Sequence, residues 1–176
     1  MVAIVDYGVG NLFSLRSSLA AVGVDAVVTA DPLTLCAADK IILPGVGAFE
    51  DAARKLRDSG LDELVKDLAR AGKPLMGICL GMQMLFEKSY EYGEHEGLGL
   101  IPGAVRPIRD VIPADYKIPH IGWNGLKLKG EHPLFAGLSE TTLALLVIVY
   151  CLTEFFLIEF GPHHFAEVEF GVCALP

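Results

Sequence analysis

The sequence has four cysteines in 176 residues, Cys36, Cys79, Cys151 and Cys173, and no two of them form a Cys-x-x-Cys pair. No His-x-x-x-His pair takes its place, so zinc-type spacing is absent and no metal is expected. No cationic stretch or small-residue cleavage site flanks the first apolar run, Met1-Val2-Ala3-Ile4-Val5, which therefore does not read as a secretory signal. Reduced thiols in a cytoplasm are the resulting expectation. Long apolar runs are also missing. Leu143 to Phe160 is interrupted by Glu154 and Glu159 and offers only ten uncharged residues before Thr153, against roughly 20 needed to span a bilayer; buried strand or core fits it better. Positive charge is scarce: 14 Lys and Arg stand against 22 Asp and Glu, for a net charge of -8 and a pI near 5.0. Such a surface disfavours non-specific binding to nucleic acid, whose phosphates need basic partners.

Hydrophobic residues make up 52% of the chain. A single domain over residues 1–176 is expected, large enough to bury roughly 70% of the surface its unfolded chain exposes. Through the first hundred residues, apolar β-rich runs alternate with helical patterns, the signature of βαβ units and a parallel sheet. Strands are predicted at Val2 to Val5, Ala26 to Thr29, Lys40 to Leu43 and Leu75 to Ile78. Helices are predicted at Leu12 to Val22, Phe49 to Leu56 and Leu61 to Ala71, the first ended by Gly23 and the last by Gly72. Runs such as Ile41-Ile42-Leu43 suit strands buried on both faces. The second half is richer in Gly and Pro and suits antiparallel hairpins. The expected fold class is α/β, a three-layer open sandwich with a mostly parallel sheet.

Gly77-Ile78-Cys79-Leu80-Gly81 lies where a predicted strand meets a predicted helix, the pattern of a nucleophile elbow with Cys in place of Ser. Small flanking residues allow the close backbone approach that a sharp turn requires, and a helix N-terminus favours thiolate over thiol. The competing interpretation of Cys79 is a small core residue between packing glycines. Acyl transfer also needs two oxyanion donors, one of them the backbone N–H after the nucleophile, that of Leu80. Pro44-Gly45-Val46-Gly47-Ala48-Phe49 follows a strand and is the candidate for the second, although alone it would read as an ordinary Pro-Gly turn. Gly8-Val9-Gly10 opens a dinucleotide-type frame whose sixth position is Phe13 rather than Gly, so that frame is rejected. No P-loop is present, and no cofactor is expected.

Gly77-Ile78-Cys79-Leu80-Gly81-Met82-Gln83 resembles the nucleophile motif of class I, or triad, glutamine amidotransferases, and Pro44-Gly45-Val46-Gly47 resembles their oxyanion loop. Asp6-Tyr7-Gly8-Val9-Gly10-Asn11-Leu12 and Pro119-His120-Ile121-Gly122-Trp123-Asn124 are similar to motifs of the glutaminase subunit of imidazole glycerol phosphate synthase. The resemblance runs from Met1 to about Ser139. It implies a flavodoxin-like fold, hydrolysis of glutamine to glutamate and ammonia, and a (β/α)8-barrel cyclase partner that uses the ammonia in histidine biosynthesis. It also implies Cys79 as nucleophile, Val46 and Leu80 as oxyanion amides, and Gly45, Gly47 and Gln83 as glutamine-binding residues. Asn11, Pro119, His120 and Trp123 would face the partner, with a place in the core as the alternative for Trp123.

The resemblance also implies a Phe-His-Pro-Glu motif near the C-terminus, and this sequence contains no His-x-Glu. From Cys151 onward the chain departs from the family pattern. His163 and His164 are the weak candidates for the general base, with Glu167 or Glu169 beyond them. Two alternatives stand beside the glutaminase reading: a catalytically impaired homologue that serves as a binding or regulatory subunit of the cyclase, and an amidotransferase of another pathway.

Overall fold

The computed structural model describes residues 1–110, positions 114, 115, 118 and 136, and beyond these the backbone of strands between residues 120 and 168. Four short apolar runs, β1 (Val2–Val5), β2 (Ala26–Thr29), β3 (Lys40–Leu43) and β4 (Leu75–Gly77), form a parallel sheet in the order β2-β1-β3-β4. Val2 pairs with Ala26 and with Lys40, and Ile42 pairs with Met76, so the pleat of all four strands is in phase. Parallel neighbours need crossovers, which are supplied by α1 (Leu12–Ala21), α2 (Pro32–Ala37), α3 (Phe49–Asp58) and α4 (Leu61–Arg70). The chain leaves β1 toward β2 and then returns across β1 to β3 and β4. With right-handed crossovers, that reversal puts α1 on one face of the sheet and α2, α3 and α4 on the other.

The core lies on the second face. α3 buries Phe49, Ala52, Ala53 and Leu56, and α4 buries Leu61 and Val65. They pack with Leu35 of α2 and with Ala3, Val5, Ile41, Leu43 and Leu75 from alternate positions of the strands. Each large apolar side chain buried in this way contributes roughly 1.5–3 kcal/mol. α1 buries no residue, and Phe13 on it is 82% exposed. An apolar cavity of about 370 Å³ opens on that face, lined among others by Leu19, Val24, Ile42 and Met76.

After β4 comes α5 (Leu80–Gln83), a single turn, and then β5 (Phe86–Ser89). β5 joins β6 (His95–Glu96), β7 (Ile101–Pro107) and, from further along, β10 (Tyr150–Leu152) in a second sheet of order β10-β7-β5-β6. β8 (His120–Gly125) with β9 (Leu143–Ile148), and β11 (Phe156–Glu159) with β12 (Phe165–Val168), are antiparallel pairs, the hairpins expected in the second half. The apolar stretch from Leu143 contributes to strands β9, β10 and β11. Among the described residues no helix is long and apolar enough to cross a membrane.

Each predicted strand and helix in the first eighty residues is present, with ends that differ by one or two residues. α1 stops at Ala21, α3 continues to Asp58, α4 stops at Arg70 and β4 stops at Gly77. α2 and β5 were not anticipated. α2 is six residues long, started by the Asp31 carboxylate accepting from the Thr34 N–H at 2.9 Å with Pro32 in its first turn. So short a segment gives no readable helical period.

Candidate active site

In a doubly wound sheet, adjacent strands whose connections leave in opposite directions open a crevice at their carboxyl ends. Here those strands are β1, which leads to β2, and β3, which leads to β4. The segment after β1 (Asp6 to Asn11) and the loop after β3 (Pro44 to Ala48) meet at this point. The Tyr7 hydroxyl donates to the Pro44 carbonyl at 2.6 Å, and a Cβ on Gly10 would lie 3.0 Å from Pro44 Cβ.

Cys79 stands at the end of β4 as the residue preceding α5, with φ 54° and ψ -119°. A non-glycine residue at positive φ costs of order 1–3 kcal/mol and persists only where its surroundings dictate it. The Ile78 N–H donates to the Leu43 carbonyl at 3.0 Å, and the Met82 and Gln83 N–H groups both donate back to the Cys79 carbonyl, at 3.0 and 3.2 Å. Three glycines make the turn sterically possible. A Cβ on Gly77 would sit 2.4 Å from Met82 Cα, on Gly81 2.0 Å from the Leu43 oxygen, and on Gly45 2.4 Å from the Gly81 nitrogen. Strand β3, the loop after it and the elbow are thus in backbone-to-backbone contact. The Cys79 thiol is exposed at the surface.

Leu80 is the first residue of α5, so its N–H has no intrahelical acceptor. Among the described residues the amides of Leu80, Val46 and Gly47 donate no hydrogen bond. Val46 is 51% exposed, and Gly47 has φ +92° with open space where a Cβ would be, so conformation rather than packing calls for glycine there. Gly45, by contrast, is glycine because backbone fills the space. Gln83 is half-buried, one turn along α5 from Cys79.

Two side chains missed by sequence reasoning hold this loop. Tyr7 is 5% exposed, and burial pushes its phenol above the ordinary tyrosine range, which keeps it a proton donor. Glu91, just past β5, accepts the Phe49 N–H at 2.7 Å, where α3 begins without a side-chain cap from its own Ala48. The Glu91 N–H in turn donates to the hydroxyl of fully buried Ser89 at 3.2 Å. No local sequence signal marks contacts that span 37 and 42 residues.

Asn11 is exposed, and its side-chain oxygen caps α1 by accepting the Ser14 N–H at 3.2 Å. His120 and Trp123 lie on β8, facing Ile148 and Leu145 of β9 in register, and only their backbone belongs to the described part. Pro119, His163 and His164 lie outside the described residues.

Residues 3–111, the segment that carries the elbow, the loop after β3 and both of its clamps, match the CobB/CobQ-like glutamine amidotransferase domain family. The chain is similar to the imidazole glycerol phosphate synthase subunit HisH of Sulfurimonas denitrificans, with 52% identity over 80% of this chain and 68% of that one. With the HisH of Wolinella succinogenes it shares 51% identity over 80% and 69% of the two chains. Among solved structures, the fold resembles that of a glutamine amidotransferase at a TM-score of 0.65 and 19% identity, covering 88% of this chain and 75% of the other. Elbow geometry, parallel-sheet topology and relatedness over most of the chain agree: it belongs to the class I glutamine amidotransferases, in the family of the imidazole glycerol phosphate synthase subunit HisH.

Proposed function

We propose that the chain is a single amidotransferase domain that hydrolyses glutamine to glutamate and ammonia and delivers the ammonia to a (β/α)8-barrel cyclase making imidazole glycerol phosphate. The observation that carries this reading is Cys79 at φ 54° on the strand-to-helix turn, with the Leu80 and Val46 amides donating no hydrogen bond among the described residues. The thiolate adds to the side-chain amide carbon, and the oxygen takes up the negative charge beside the Leu80 and Val46 amides. The C–N bond then breaks, and the nitrogen leaves as ammonia with a proton from the general acid. Water cleaves the resulting thioester, releasing glutamate and restoring the thiol. Gly45 and Gly47 let the loop approach the substrate, and Gln83 reaches it from the first turn after the nucleophile. Asn11, Pro119, His120 and Trp123 form the surface toward the cyclase. His163 and His164 are the candidates for the acid-base step.

The test is glutamate release from glutamine by the full chain, alone and with the cyclase and its ligand, against Cys79→Ala. Turnover in the complex that vanishes in Cys79→Ala supports the reading, and His163→Ala and His164→Ala then assign the base. General-base catalysis contributes roughly 10²- to 10⁴-fold, so loss of the true base leaves a small residual rate. An intact complex without turnover would make the chain a binding subunit of the cyclase.

A further inference from the structure

The loop that follows β3 is held at both ends and left open in the middle. At its start the Tyr7 phenol donates to the Pro44 carbonyl at 2.6 Å, and at its end Glu91 accepts the Phe49 N–H at 2.7 Å. Between them, Val46 is 51% exposed, Gly47 is at φ +92°, and neither amide makes a hydrogen bond among the described residues. A strand would hold such a segment by its ladder, but β3 ends at Leu43. The position of the Val46 peptide therefore depends on the peptides flanking it. Gly45 lies against Leu80 and Gly81, so the Pro44 peptide is the last one before the loop meets the elbow.

We propose that Tyr7 is a positioning residue for the reaction at Cys79: its hydroxyl fixes the Pro44 peptide and thereby sets where the oxyanion amide of the next turn lies. Tyr7 does not touch the substrate. It reaches across from the segment after β1, buried under the loop, where removing its hydroxyl leaves the Pro44 carbonyl without that donor. Gly10, from the same segment, packs within 3.0 Å of Pro44 for any side chain it might carry, so the two contacts bear on a single proline. The segment that ends in Asn11 and begins α1 is thus in mechanical contact with the oxyanion loop. This inference rests on the reading of Cys79 as the glutamine nucleophile.

The experiment compares two thiol reagents on wild type and Tyr7→Phe. With a chloromethyl ketone analogue of glutamine, the thiolate first adds to the ketone, forming an alkoxide that needs the oxyanion amides, and the sulfur then displaces chloride. With iodoacetamide the thiolate displaces iodide directly and no oxyanion forms. In Tyr7→Phe the ketone reaction is expected to slow about tenfold, a fraction of what removal of a whole oxyanion donor costs, while the iodoacetamide rate stays within about twofold. Circular dichroism checks that both proteins are folded. Gly10→Ala, which keeps the phenol but presses a Cβ on Pro44, should give the same split and serves if Tyr7→Phe does not fold. Equal slowing of both reagents, or of neither, overturns the positioning role. A wild-type protein in which glutamine fails to protect Cys79 from the ketone overturns the glutamine reading itself, and the positioning role falls with it.

Discussion

The two faces of the parallel sheet are built to different tolerances. On one, α3 and α4 bury six side chains between them, and the loops from β3 and β4 meet in backbone contact through Gly45, Gly77 and Gly81. On the other, α1 half-buries Leu12, Leu15 and Leu19 but fully buries no residue, and a cavity of about 370 Å³ is lined by Leu19 of α1 together with Ile42 and Met76 of the strands. The elements that shape the elbow spring from the tight side. A turn that holds a non-glycine residue at positive φ needs surroundings that cannot relax, and a close-packed interior supplies them. The looser face carries no such demand.

The sharpest way to break this contrast is to add one methyl group where the packing allows none. Gly81→Ala would place a carbon 2.0 Å from the Leu43 carbonyl oxygen, and its three nearest atoms, from Leu43 and Pro44, are all backbone. The expected loss is about 4 kcal/mol or more, a large share of typical domain stability. Urea unfolding of purified protein checks it, and a midpoint like that of wild type would mean that the elbow is slack after all.

Paired truncations of phenylalanine compare the faces directly. Phe49 is fully buried at the start of α3, and Phe13 is 82% exposed on α1. Phe49→Ala should cost roughly 3–5 kcal/mol, transfer and cavity terms together. Phe13→Ala should stay within about 0.5 kcal/mol. Comparable losses would show that α1 carries core weight in solution. A milder test uses pH at the junction of the two faces. Tyr7 has its folded-state pKa raised by burial. The folded state therefore holds its proton longer, and the associated stability is present in full below the unfolded tyrosine value of about 10 and is lost as pH climbs above it. Tyr7→Phe removes this contribution, so its alkaline unfolding limb should fall less steeply than that of wild type; parallel limbs would contradict the burial of the phenol.

Most of the fold was legible because parallel strands and amphipathic helices are local patterns. Ile41-Ile42-Leu43 reads as a strand in any context, and Gly72 at φ +88° ends α4 as a C′ glycine should. Cys79 was legible for the same reason, since two of the three glycines that admit its turn, Gly77 and Gly81, lie within two residues of it. The clamps were not. Tyr7 belonged to a recognised motif, but its reach to Pro44 depends on the reversal of strand order that brings β1 beside β3, and Glu91 meets Phe49 across 42 residues of chain. α1 was legible as a helix, and Leu12, Leu15 and Leu19, which have the spacing of a packed face, are half-buried on it; that none of them is fully buried was not legible, because spacing shows which side faces inward and not how closely it is covered.

That last point supplies the smallest expected effect. Asn11 caps α1 by accepting the Ser14 N–H, a contact whose loss costs about 1 kcal/mol in a helix coupled to its core. Because α1 has no fully buried residue, its first turn can open while uncovering only the half-buried Leu12 and Leu15, and local opening then falls well below the global unfolding energy. Asn11→Ala should therefore speed hydrogen exchange at amides of α1 while moving the global urea midpoint by an amount equivalent to less than about 0.5 kcal/mol. Exchange rates in β1 and α3 serve as the internal reference and should not change. If the global midpoint shifts by the full cap energy, α1 unfolds with the rest of the domain, and the two faces are one cooperative unit despite their unequal packing.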